Sequence, residues 1–138
     1  MNKRILVCED SATTCEFYRK ILGKLGEVVT TCKGSDALSE YFDAAAASQP
    51  FDIVILDIKL PGRTNGLEVL EKIREKEKFL KLPNGPSKIL IITSCSEPWH
   101  QNFAWTIGCN AYLNKPVPRD RLITIIESLD EVIPIAYE

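Results

Sequence analysis

Histidine is nearly absent: His100 is the only one in 138 residues. A zinc centre needs clustered cysteine and histidine ligands. The five cysteines, Cys8, Cys15, Cys32, Cys95 and Cys109, form no CxxC pair. The single imidazole also argues against Ser-His-Asp and Cys-His catalysis. The cysteine count is odd, and Met1-Asn2-Lys3-Arg4 runs straight into an apolar stretch with no signal peptide. Both features suit free thiols in a reducing cytosol. Long apolar runs are missing too: bursts such as Ile53-Val54-Ile55-Leu56 fall far short of the ~20 residues that span a bilayer. Nor is there a basic stripe of the kind that neutralises nucleic-acid phosphates. Seventeen basic residues face 19 acidic ones, for a net charge of −2. The nearest candidate, residues 72–81, alternates Arg74, Lys76 and Lys78 with Glu71, Glu75 and Glu77 and reads as a solvated helix face. Neither a nucleic acid nor a membrane is therefore expected as a partner.

What remains is ordinary globular material, 45% apolar and 26% charged. A chain this long hides roughly 70% of its unfolded surface, enough for a core without metal or disulfide staples. Short apolar bursts alternate with stretches of helical period. The strand-like bursts are Arg4 to Cys8, Val28 to Thr31, Asp52 to Leu56, Ile89 to Ile92 and Ala111 to Leu113, and three of them are apolar on both faces. Helical stripes lie between them: Phe17, Tyr18, Ile21, Leu22 and Leu25; the alanine-rich Ala37 to Ala47; Leu67, Leu70 and Ile73; and Leu122, Ile125, Ile126, Leu129 and Ile133. Pro98 marks the opening of a further helix, with Trp99, Phe103 and Ile107 as its expected buried row. The strand-helix alternation runs five times over, which predicts an α/β domain with a parallel sheet, helices on both faces and right-handed crossovers.

Ligands in such sheets bind outside the carboxyl ends of the strands. The first strand ends in Cys8-Glu9-Asp10, the third in Leu56-Asp57, the fourth in Ile92-Thr93-Ser94 and the fifth in Leu113-Asn114-Lys115-Pro116. With the first strand central, three carboxylates, a hydroxyl and an ammonium converge on one edge. Crowded carboxylates raise one another's pKa or demand a cation, and a hard ion such as Mg²⁺ sits on one or two carboxylates while keeping waters. Metal, lysine and hydroxyl together suit a phosphoryl group, and the available nucleophile is a carboxylate, which forms an acyl phosphate. Each residue alone has an everyday reading: an Asp after a strand caps a helix, and Lys-Pro makes a turn. Four compatible strand ends in the right order carry the argument.

Those strand ends sit in recognisable motifs: Ile5-Leu6-Val7-Cys8-Glu9-Asp10, Asp52 to Gly62, Asn65-Gly66-Leu67-Glu68, Thr93-Ser94, and Gly108 to Pro116. Over about residues 3–131 the sequence resembles a response-regulator receiver domain of two-component signalling, of the short, stand-alone chemotaxis-regulator type. The resemblance implies a flavodoxin-like (βα)5 sandwich with strand order 2-1-3-4-5, an order known for this fold. It implies that residues 1–138 form one domain with a short tail at 132–138. It implies Asp57 as phosphoacceptor, and Mg²⁺ (or Mn²⁺) held by Asp10, Asp57 and the backbone carbonyl of Lys59, with Glu9 acting through water. Thr93 and Lys115 would bind phosphoryl oxygens, and Tyr112 would be the aromatic residue that turns inward when Thr93 is drawn to the phosphate. A cis peptide bond is expected before Pro116. The implied partners are a histidine kinase or histidine phosphotransfer protein upstream, and a protein target or second copy downstream. The chain would be no conventional enzyme, although it would assist its own aspartyl phosphorylation and dephosphorylation.

Some positions depart from the pattern. Glu9-Asp10 replaces the commoner Asp-Asp, and residues 78–87 make a longer link than usual, expected as a surface loop far from the site. Lys59 and Cys95 stand where the family tunes hydrolysis of its phosphoryl group, and neither is a water-orienting carboxylate or amide. Two other readings compete. A flavin-binding flavodoxin-like protein would use Ser11-Ala12-Thr13-Thr14 for phosphate, but that loop lacks glycine and lies beside Glu9 and Asp10. A pseudo-receiver that only docks has no need of all five of Asp57, Glu9, Asp10, Thr93 and Lys115. For output, the face of the fourth helix, fifth strand and fifth helix is expected to bind partners. At ~100° per residue, Trp105 should point away from the Trp99 row and join Tyr112 on that surface.

Overall fold

The computed structural model describes residues 2–94 and 97–129. Ten elements follow one another: β1 (Lys3–Cys8), α1 (Ala12–Leu22), β2 (Gly26–Thr31), α2 (Gly34–Ala46), β3 (Ile53–Leu56), α3 (Gly66–Glu77), β4 (Lys88–Thr93), α4 (Pro98–Ile107), β5 (Ala111–Asn114) and α5 (Arg119–Ser128). The strands make one parallel sheet in the order β2-β1-β3-β4-β5. This is the flavodoxin-like (βα)5 sandwich expected from the sequence. In register, Cys8 sits beside Thr31 on one side and Leu56 on the other, and Thr93 sits beside Asn114, so the strands end level along one edge.

The all-apolar strand β3 is central, flanked by β1 and β4, and alternate residues of these strands feed one of two cores. Leu6, Val54, Leu56, Ile89 and Ile91 meet α2, α3 and α4 through Tyr41, Leu70, Ile73 and Ala104. Val7, Ile53, Ile55, Leu90 and Ile92 meet α1 and α5 through Tyr18, Ile21, Leu22, Leu122 and Ile125. Of the expected stripe on α1, Phe17 is out at 38% exposure. Helix α2 begins at Gly34, a turn before its alanines. Ile133 and the tail at 132–138 lie outside the described residues.

The buried row of α4 needs correction. Trp99 is 58% exposed, whereas Trp105 is partly buried against the α3-side core together with Phe103 and Ile107. The reason is Ala104, fully buried: a small residue at the closest approach lets the helix settle on its neighbours. At ~100° per residue, Trp99 lies nearly opposite Ala104 and Trp105 on its flank. The positive-φ Gly108 then closes the helix, at φ 119°.

The 72–81 face is solvated only in part. Glu77 is buried and Arg74 half-buried. Arg74 donates to Glu77 Oε1 at 2.7 Å, to the Gly108 carbonyl at 2.9 Å and to Asn110 Oδ1 at 2.9 Å. Glu77 Oε2 accepts from the Tyr41 hydroxyl at 3.1 Å and the Ser87 N–H at 3.0 Å. Ser87 in turn donates to the Phe51 carbonyl at 2.6 Å, and Asn110 Oδ1 accepts from the Ile89 N–H at 2.8 Å. This network pins the end of the 78–87 loop beneath the sheet, where Asn84, Gly85 and Pro86 line a cavity of about 280 Å³ with Lys3, Phe51 and Ile126. The loop is thus at the amino ends of the strands, remote from the carboxyl edge.

Candidate functional site

Glu9 and Asp10 are the first residues past β1, and Asp57 is the first past β3. The Asp57 N–H donates to the Cys8 carbonyl at 3.1 Å, extending the ladder by one bond and placing the two carboxylate strands side by side. The Glu9 N–H likewise donates to the Thr31 carbonyl at 3.0 Å. Beyond them Ser11 caps α1, its hydroxyl accepting from the Thr14 N–H at 3.3 Å, while its own N–H donates to Glu9 Oε2 at 3.1 Å. On the far side the Lys115 N–H donates to the Thr93 carbonyl at 2.9 Å, which anchors the lysine stem, and the Lys115–Pro116 bond is cis.

Glu9, Asp10 and Asp57 each bring an oxygen within 4.8 Å of the others. Glu9 is 3% and Asp57 7% exposed, while Asp10 faces solvent. The Lys115 ammonium reaches across to both buried carboxylates, at 2.8 Å from Asp57 Oδ2 and in a short contact with Glu9 Oε1. Burial pushes the Glu9 carboxyl up, opposed by Lys115 and the Ser11 N–H. Burial alone would lower Lys115, but the bonds to Asp57 and Glu9 outweigh it and its pKa ends raised. Among the described residues Asp57 Oδ1 is buried with no hydrogen-bond partner. Three carboxylates against one ammonium, all hard oxygen donors, with one buried oxygen to spare, fit a hard divalent cation and an incoming phosphoryl group.

Thr93 is fully buried at the β4 end of this edge, and Tyr112, two residues earlier in register, is 2% exposed and part of the α3-side core. The side chain expected to turn inward is therefore already inside, and it offers no surface here. Lys59 is exposed beside the site, and Cys95 lies outside the described residues. Gly66 stands in a quoted motif without its reason, and Cys15 has no place in the sequence reading of the site. Gly66 opens α3 so close to Asp57 that a Cβ would fall 1.9 Å from the Asp57 carbonyl oxygen. The Cys15 thiol donates to the Glu9 carbonyl at 3.4 Å. An Asn65…Glu68 capping box fixes the start of α3.

A level carboxyl edge with this acidic trio and bridging lysine defines a class, and comparison with known proteins agrees. The sequence pattern of the response regulator receiver domain matches residues 5–127. The chain belongs to the response regulator receiver family. Among curated relatives, the polar-differentiation response regulator DivK of Brucella ovis is 28% identical over 129 residues, covering 93% of this chain and 96% of its own. A CheY-like receiver domain protein from Methanospirillum hungatei JF-1 superposes with a TM-score of 0.77 at 28% identity, covering 95% of this chain and 96% of its own. The BeF3-activated DrrB receiver domain shares the fold, with a TM-score of 0.77 at 22% identity over 94% of this chain and 97% of its own.

Proposed function

We propose that this chain is a phosphorylatable switch in which Asp57 accepts a phosphoryl group from a phosphohistidine on a kinase or phosphotransfer protein. The observation that carries the reading is the unequal pair of oxygens on Asp57. Oδ2 is held by Lys115 at 2.8 Å, and Oδ1 is buried without a partner. The free oxygen attacks phosphorus and a P–O bond forms. The P–N bond to the donor imidazole breaks, and its electron pair stays on the ring nitrogen. Lys115 and Thr93 neutralise and orient phosphoryl oxygens. Asp10, Asp57 and the Lys59 carbonyl would hold Mg²⁺ or Mn²⁺, with Glu9 behind them; when bound, the ion offsets the negative charge of the phosphoryl oxygens.

On this reading residues 3–131 act as one receiver unit, and output passes through the face of α4, β5 and α5 to a protein target or a second copy. Movement of Thr93 toward the phosphoryl group would favour the packing in which Tyr112 is buried. A few kcal/mol of differential binding suffices to shift such a two-state population. Trp99, which projects from the start of α4, is the aromatic side chain available to a partner, in place of Trp105.

A small acyl phosphate with Mg²⁺ should add one phosphoryl group to the protein, read by intact mass. Asp57→Asn, or excess chelator, should abolish the addition. Labelling of Asp57→Asn at the parental rate would overturn the assignment.

A further inference from the structure

Beside the acidic site lies a surface depression of about 340 Å³ lined by Glu9, Asp10, Thr31 and two thiols, Cys15 and Cys32, that phosphoryl chemistry leaves unused. Helix α1 runs down the sheet while β2 runs up it, and Arg19 of α1 donates to Thr30 Oγ1 of β2. One turn back along the same helix face is Cys15, ~6 Å nearer the carboxyl edge. Two residues on from Thr30, just past the end of β2, is the exposed Cys32. Cys15 and Cys32 line the same depression, and Cys32 is close enough to act on the Cys15 thiol electrostatically. Cys32 is open to solvent and Cys15 is almost covered, with 8% exposure. The other two described thiols are buried, although Cys8 too lies within electrostatic reach of Cys32. Cys8 packs into the opposite core with Ala37 and Tyr41, and Cys109 is buried beyond the end of α4.

We propose that Cys32 and Cys15 form a dithiol site that hydroperoxides convert to a disulfide at the rim of the phosphoacceptor pocket. In the first step the Cys32 sulfur attacks the peroxide, an S–O bond forms and the O–O bond breaks. Cysteine becomes sulfenic acid, and the leaving oxygen takes the thiol proton and departs as water from hydrogen peroxide or as an alcohol from an organic hydroperoxide. In the second step the Cys15 sulfur attacks the Cys32 sulfur, the S–S bond forms, and the hydroxyl departs with the Cys15 proton as a second water. Two thiols and one hydrogen peroxide thus give one disulfide and two waters. The bridge ties the first turns of α1 to the β2–α2 connection across the depression that Glu9 and Asp10 share. This restrains the very residues that must receive the cation. Oxidation therefore slows phosphorylation of Asp57, a consequence that rests on the phosphoacceptor reading.

The test treats the full chain with hydrogen peroxide, blocks the remaining thiols, digests with trypsin and a glutamate-specific protease, and maps peptides by mass. A reductant-sensitive peptide joining residues 10–16 to residues 28–33 is expected, and it should vanish in Cys15→Ser and in Cys32→Ser. Acetyl phosphate labelling should fall several-fold in the oxidised parent and recover with dithiothreitol, while each serine variant, whatever its starting rate, should label equally fast before and after peroxide. Oxidation that yields only sulfinic acid at Cys32, or only links between chains, overturns the dithiol site. The internal disulfide with unchanged labelling overturns its control over Asp57. A reduced parent that never labels would instead refute the phosphoacceptor reading, and the linked peptide would still decide the thiol chemistry.

Discussion

Truncating Arg74 to alanine removes one half of a buried ion pair without touching the phosphoacceptor edge. The side chains of Arg74 and Glu77 are 16% and 7% exposed, so their attraction is little screened by water. Breaking such a pair costs ~3–5 kcal/mol, because the remaining charge stays buried without its partner. Glu77 keeps the Tyr41 hydroxyl and the Ser87 N–H, which places the loss near the lower end. The Gly108 carbonyl and Asn110 each lose a donor at the same time. A loss of about 3 kcal/mol, at a urea dependence of about 2 kcal/mol per molar, moves the unfolding midpoint down by about 1.5 M. Since domains of this kind have ~5–15 kcal/mol to lose, the variant should still fold. The assay is urea unfolding followed by far-UV circular dichroism, with Lys72→Ala on the exposed side of α3 as the control. Combining Arg74→Ala with Glu77→Gln should cost clearly less than the sum of the two single changes, because the charge left behind is gone. An Arg74→Ala midpoint equal to that of Lys72→Ala would refute the view that this pair is energetically coupled to the core.

Alkaline pH should destabilise the fold for a related reason. Burial pushes the Tyr41 hydroxyl up to about 12, from 10.0. The unfolded chain thus releases this proton first, and stability falls as pH rises from about 10 to about 12. Lys115, also raised, contributes stability fully present below 10.5 and lost as pH passes its folded value. Tyr41→Phe should therefore flatten the alkaline decline of the urea midpoint, and an unchanged slope would count against it. The tryptophans should part company: Trp99→Ala should change stability by under about 0.5 kcal/mol and remove the acrylamide-accessible emission, whereas Trp105→Ala should cost about 2 kcal/mol through lost packing. Equal costs in the same urea titration would reverse the burial assignment on α4.

The sheet and its helices were legible because β1, β3 and β4 are apolar on both faces, a pattern that belongs to strands covered on two sides. The site was legible for the same reason: its residues are the first polar positions after those runs, and the fold gathers strand ends. Helix α4 was misread because its stripe was taken from the large side chains, while the point of closest approach is the small Ala104. Arg74 and Glu77 were read as surface because charge alternation along a helix looks the same whether or not a loop folds over one end. Tyr41, Ser87, Gly108 and Asn110, each 10 to 36 residues away from its partner Glu77 or Arg74, make the difference. Nothing local to residues 72–81 announces that. Gly66 stood in a motif, but the reason for it is a distance to Asp57 that no sequence pattern states.

The β3–α3 connection behaves as a short bridge with both abutments fixed. At one end the Asp57 N–H is tied to Cys8, and at the other the Gly66 N–H returns to the Ile58 carbonyl at 2.9 Å, with no side chain to act as a spacer. The helix beyond therefore cannot close any further on Asp57, since its first peptide already rests on that residue's carbonyl. Between these ties Leu60 packs on the core and the Thr64 carbonyl abuts Gly34, while Lys59, Pro61, Gly62 and Arg63 are exposed and Gly62 has a φ of 89°. An exposed lip with a left-handed glycine at its crest thus overhangs a floor tied at both ends.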